Sequence, residues 1–93
     1  MALTFHIPGP LRGFTGGRSP VQMDASPGTL RDALEVLWAH YPGLRDRILT
    51  EQGSIREHIN LFVGDENSRH SGGLATHIPA GAEISIVPAI SGG

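Results

Sequence analysis

The sequence predicts a two-layer α+β domain in which one main helix packs on a mixed sheet. Three observations carry that expectation. Short runs near both ends of the chain alternate apolar and polar residues, as half-buried strands do. Between them, residues 29–41 repeat their apolar positions every three or four residues, as an amphipathic helix does. The chain has 93 residues, enough for one domain and too few for two, so strands and helix must share one core.

Leu3, Phe5 and Ile7 alternate with Thr4 and His6, a strand that Pro8 and Pro10 end. The glycine-rich loop LRGFTGGRSP leads to Val21 and Met23, which alternate with Gln22 and Asp24; the two strands make a hairpin. Thr29, with Asp32 three residues on, is a helix N-cap. The helix it opens carries Leu30, Ala33, Leu34, Leu37, Trp38 and Tyr41 on one stripe, and Pro42 and Gly43 stop it. LRDRIL, 44–49, adds a short helical turn. Ile59, Leu61 and Val63 alternate with Asn60 and Phe62 in a third strand. After a turn at GDEN, a short strand is expected near Ser68 to His70. PAGA, 79–82, is another turn, and Ile84 and Ile86 then alternate with Ser85 and Val87 in a last strand ended by Pro88. Residues 1–88 thus read as one domain, with a radius of gyration of roughly 12 Å, and 89–93 as a flexible C-terminal tail.

Composition excludes several function classes. Net charge is -2, which argues against wrapping nucleic acid or coating an anionic membrane. There is no cysteine, hence no disulfide, thiol nucleophile or thiolate metal site. All seven basic residues are arginine, so the chain has no side-chain amine to acylate. MALTFHIPGP lacks the basic and long apolar regions of a signal peptide, and no apolar run approaches the roughly 20 residues that span a bilayer. A cytoplasmic location is expected. The five histidines show no metal-ligand spacing and no HExxH, so no metal site is expected. Ser71 and Ser91 lie in no nucleophile elbow. The pairs Gly16-Gly17 and Gly72-Gly73 are turn residues with positive φ, and no GxxxxGK[ST] phosphate loop is present.

Two features remain. Strand parity places Thr4, His6, Asn60, Phe62, Ser85 and Val87 on the sheet face away from the helix, where Phe62 and Val87 are the apolar members. They are either ordinary surface residues or a partner-docking patch, and the pattern leaves both open. The second feature is the closing PAISGG. A glycine pair by itself is a weak signal, for which a frayed tail is the better reading. Its position adds weight, because Ala89, Ile90 and Ser91 space Gly92 and Gly93 from the end of the last strand. Five residues from Ala89 onward extend to about 17 Å at most, and glycine passes a constriction that a Cβ would block. A terminal carboxylate, with a pKa of about 3.5, is ionised at neutral pH and a poor electrophile. Its activation needs a partner that supplies ATP and forms an acyl-adenylate.

RHSGGLATHIPAGAEISIVPAISGG, 69–93, resembles the closing segment of the MoaD/ThiS family of sulfur-carrier proteins. That pattern is a turn glycine (Gly81), a strand (Glu83 to Val87), a proline (Pro88) and a terminal Gly-Gly. LRGFTGG, 11–17, and GTLRDAL, 28–34, resemble the same family. The LR…TGG and SGGLAT features are most similar to the cysteine-synthesis (CysO-like) carriers, then to the molybdopterin synthase small subunit. Ala82 stands where many members have Asp, and Gly64 where many have Asn.

The resemblance implies a ubiquitin-like β-grasp fold and a protein cosubstrate, not a stand-alone enzyme. An E1-like adenylyltransferase would adenylate Gly93, with Gly92 beside it. A sulfur donor, a sulfurtransferase or desulfurase, would convert the adenylate to a thiocarboxylate. The sulfur would pass to an acceptor such as a cysteine synthase or the molybdopterin synthase large subunit. Val87, Pro88, Ala89, Ile90 and Ser91 would meet the partner, joined by Phe62 on strand parity. ATP would be used by the activating partner, with no cofactor on this chain and a monomer when free. Two alternatives stand beside it: a ubiquitin-like modifier that joins Gly93 to target lysines, and a β-grasp binding module. Acidic charge and sparse aromatics disfavour an RNA-binding version of the latter.

Overall fold

The computed structural model describes residues 2–88. The alternating runs form five strands: β1 (Ala2–His6), β2 (Val21–Asp24), β3 (Ile59–Val63), β4 (Glu66–Asn67) and β5 (Glu83–Pro88). They make one sheet in the order β2-β1-β5-β3-β4. β1 and β5 are parallel neighbours, and the other pairs are antiparallel. The sheet is therefore mixed, as the sequence leads one to expect. A parallel pair cannot be closed by a tight turn and needs a crossover, and the helical segment of the chain lies within that crossover.

That segment contains α1 (Leu30–His40) and a short α2 (Arg45–Ile48). Thr29 is extended, and its hydroxyl accepts the Asp32 amide at 3.2 Å, so the expected N-cap is in place. Leu30, Ala33, Leu34, Leu37 and Trp38 are buried on one stripe. They share a core cluster with Leu3, Phe5, Ile7, Leu61, Ile84 and Ile86 from the sheet. Each such side chain contributes roughly 1.5–3 kcal/mol on burial, against about 1 kcal/mol for the cap. Packing therefore decides where α1 lies, and the cap decides where it starts. Pro42 opens a 3-10 turn, Pro42–Leu44, that leads into α2.

The β1–β2 hairpin aligns Leu3 with Met23 and Phe5 with Val21. Its loop holds a 3-10 turn, Gly9–Thr15, followed by Gly16 at φ 66 and Gly17 at φ 83. Buried Thr15 ties the loop, its hydroxyl lying 2.8 Å from the Arg18 carbonyl oxygen and 3.1 Å from that of Arg12. At the PAGA turn Gly81 has φ 74, and the Ala82 amide donates to the Pro79 carbonyl at 3.2 Å.

One expectation is corrected. Ser68–His70 is a 3-10 turn, and the short strand is the preceding pair, Glu66–Asn67, aligned with Val63 and Phe62. The reason is local: the Asn67 side-chain oxygen accepts the Arg69 amide at 3.0 Å. That bond turns the backbone where a ladder would extend it. The Cα radius of gyration is 12.2 Å. Among the described residues no helix is long and apolar enough to cross a membrane.

Candidate partner-docking site

The helices cover one face of the sheet and leave the other open. Register sets the rows on that outer face. His6, Ser85, Phe62 and Asn67 align across four strands. Val87 aligns with Asn60 in the next row. Phe62 and Val87 are thus diagonal neighbours on adjacent strands, a relation in which Cα atoms lie roughly 7–8 Å apart and side chains can touch. Phe62 is half-buried. Val87 is 41% exposed, the highest value for a large apolar side chain among the described residues. Its strand is flanked by β1 and β3, so the exposure comes from an open face and not from an edge.

The rest of the face is polar but not uniformly open. Thr4 lies on it as expected, yet is only 8% exposed, because its short side chain sits between Gln22 and Glu83 of the neighbouring strands. His6 Nε2 lies 2.6 Å from Glu83 Oε1, with both side chains partly exposed. The pair borders the apolar diagonal on the β1 side.

The end of β5 is held from the other side. Pro88 aligns with Ile59 at the start of β3. Arg69 clamps that start: its Nη2 donates to the carbonyls of Ile59 at 2.7 Å, Arg56 at 2.8 Å and Glu57 at 3.2 Å. Its Nε donates to the Asn60 side-chain oxygen at 3.1 Å, which also accepts from Asn67 Nδ2 at 3.2 Å. A planar guanidinium can serve several acceptors at once in this way. Nothing in the one-dimensional pattern singles Arg69 out, since its acceptors lie nine or more residues away and three of the four are backbone carbonyls.

Of the expected site residues, Phe62 and Val87 are brought together on one face, and Pro88 follows at its margin. Ala89, Ile90, Ser91, Gly92 and Gly93, and with them the expected 89–93 tail, lie outside the described residues. Among the described residues no group of three or more His, Cys, Asp or Glu is placed to hold a metal ion.

Comparison with known proteins adds to this geometry. The model of the ThiS family matches residues 5–93. The sulfur carrier protein CysO of Mycobacterium tuberculosis (strain ATCC 25618 / H37Rv) is 40% identical over 95 residues, covering all of both chains. A chain of the Amycolatopsis orientalis BexX/CysO complex superposes with a TM-score of 0.86 at 32% identity, covering 98% of this chain and 99% of that one. SAMP1 from Haloferax volcanii superposes with a TM-score of 0.80 at 28% identity, covering 100% of both chains. The fold is the ubiquitin-like β-grasp.

Proposed function

The chain belongs to the ThiS family, and on that premise we propose that it is a sulfur carrier acting as a protein cosubstrate, most directly in cysteine synthesis. An E1-like adenylyltransferase docks on the outer sheet face at Phe62 and Val87 and receives Pro88, Ala89, Ile90 and Ser91. The Gly93 carboxylate attacks the α-phosphate of ATP, pyrophosphate leaves, and an acyl-adenylate forms. The persulfide of a sulfurtransferase or desulfurase displaces AMP to give an acyl disulfide; a second thiol then attacks the partner's sulfur, forming a disulfide there and releasing the thiocarboxylate on Gly93. An acceptor such as a cysteine synthase takes the sulfur. The setting for this chemistry is the cytoplasm.

The observation that carries the proposal is the full-length 40% identity to a sulfur carrier protein. Chemistry supports it: with neither cysteine nor lysine in the sequence, no side-chain thiol or amine of this chain competes for the activated carboxyl group. Incubation with ATP, the E1-like partner and a sulfur source should shift the intact mass by one oxygen-to-sulfur exchange. Deleting Gly92 and Gly93 should abolish the shift. An unchanged mass with a partner proven to adenylate the chain would reject the proposal.

The likeness to SAMP1 favours a second reading, a protein modifier using the same activation. Isopeptide-linked adducts of Gly93 on lysines of other proteins in lysate would establish it.

A further inference from the structure

A carrier of this kind has to be approached at the end of β5, and the structure places unusual charge there. Pro88 aligns with Ile59, and His58 directly precedes Ile59. His58 lines a surface hollow of about 210 Å³ together with Asp46, Arg47 and Arg56. The one carboxylate in the hollow, Asp46, has Oδ1 3.1 Å from Nη1 of Arg45, a further cation. Counting Arg45, Arg47 and Arg56 against Asp46 and the exposed Glu57 between Arg56 and His58, the neighbourhood carries +1 with His58 neutral, although the chain as a whole carries -2.

The arginines of the hollow are oriented by neutral partners. The Arg47 guanidinium carbon lies 5.2 Å from the centre of the Phe14 ring. That ring is seated on Gly43, where an added Cβ would come within 2.9 Å of a ring carbon. Arg56 Nε donates to the Asp46 carbonyl at 2.9 Å, and the Arg56 amide donates to the Ile48 carbonyl at 3.0 Å. A cation already oriented loses less rotamer freedom when it meets a partner.

We infer that Arg47 and Arg56, with the polar His58 between them and the end of β5, form a cationic rim that reads an acidic loop of the adenylating enzyme, next to the entrance through which that enzyme takes the tail. The inference rests on the carrier reading above and deepens it by naming the partner's chemistry. Apolar Phe62 and Val87 supply the dry part of the contact and the rim supplies charge, the usual division of an interface. Rim charges act on encounter and its salt dependence more than on the chemical step.

The test is ATP–pyrophosphate exchange by the E1-like adenylyltransferase of the source organism, with the full chain as substrate. It is run at about 0.1 M and about 1 M monovalent salt, where charges are screened beyond roughly 10 Å and 3 Å. The R47E/H58E double variant should lose about 10-fold in kcat/KM at the lower salt, through KM and not kcat, and less than about 2-fold at the higher. R31E, a charge reversal on α1 (Leu30–His40), should match the wild type at both. Thermal melts check folding, and R47Q/H58Q, expected to lose about 3-fold at low salt, replaces the double reversal if that variant is unfolded. An unchanged kcat/KM at low salt, a loss that persists at high salt, or a loss in kcat overturns the rim. No exchange with wild-type chain rejects the carrier reading itself, a distinct outcome.

Discussion

Arg69 and Ser68 are adjacent and make opposite contributions. The Arg69 guanidinium serves three backbone carbonyls and one side-chain amide oxygen at the start of β3. Hydrogen bonds from a charged donor are worth about 1.5–3 kcal/mol when buried, but Arg69 is exposed, so the set is expected to contribute about 1–2 kcal/mol. Arg69→Ala should lower Tm by roughly 4–12 °C in a domain of this size. Arg69→Lys should restore little, because an ammonium cannot span the same acceptors. Paired thermal melts check both, and full rescue by lysine would mean that charge alone matters. Ser68 is fully buried, and its hydroxyl has no hydrogen-bond partner among the described residues. Leaving such a group unpaired costs about 1–3 kcal/mol. Ser68→Ala is therefore expected to hold or raise Tm by a few degrees, whereas most buried substitutions lower it.

Among the elements, α1 separates capping from packing. Thr29→Ala removes the acceptor of the Asp32 amide and should cost about 1 kcal/mol. Leu37 is 0% exposed in the core, and Leu37→Ala should cost about 2–5 kcal/mol through lost burial and the cavity left. Denaturant midpoints should rank the two in that order; a larger loss at Thr29 would mean that the cap, not the stripe, holds the helix. This ranking follows from the sequence, because both the cap and the stripe are local patterns. The inward residues of β1, β3 and β5 were legible for the same reason, period two against a single core. Ser68–His70 was not, because the side-chain bond from Asn67 that turns it competes with a strand that short. At the site, Val87 and Phe62 followed from parity. Their diagonal pairing did not, since register between β3 and β5 is set by tertiary contacts across more than twenty residues of chain.

For the molecule as a whole, the parallel pairing of β1 with β5 sets which face is open beside the last strand. It places the strand that leads to the tail inside the sheet, between β1 and β3. On the proposed function, a partner that takes the tail would cover the open face over both neighbours: the Phe62–Val87 diagonal on the β3 side and the His6–Glu83 pair on the β1 side. Val87 is 41% exposed, so Val87→Asp gives up only part of a side chain's burial and should cost about 1 kcal/mol of stability. In a docked complex the same carboxylate would be desolvated without a partner, and the adenylating enzyme should bind at least about 10-fold more weakly. Phe62→Ala should weaken binding as well. Because the two side chains are neighbours, Phe62→Ala and Val87→Ala should be coupled by about 0.5–1 kcal/mol in a double-mutant cycle on binding. Calorimetric titration of the four variants measures that coupling. Strict additivity would place the two residues in separate contacts, and undiminished binding by Val87→Asp would show that the partner takes the tail without covering the sheet face.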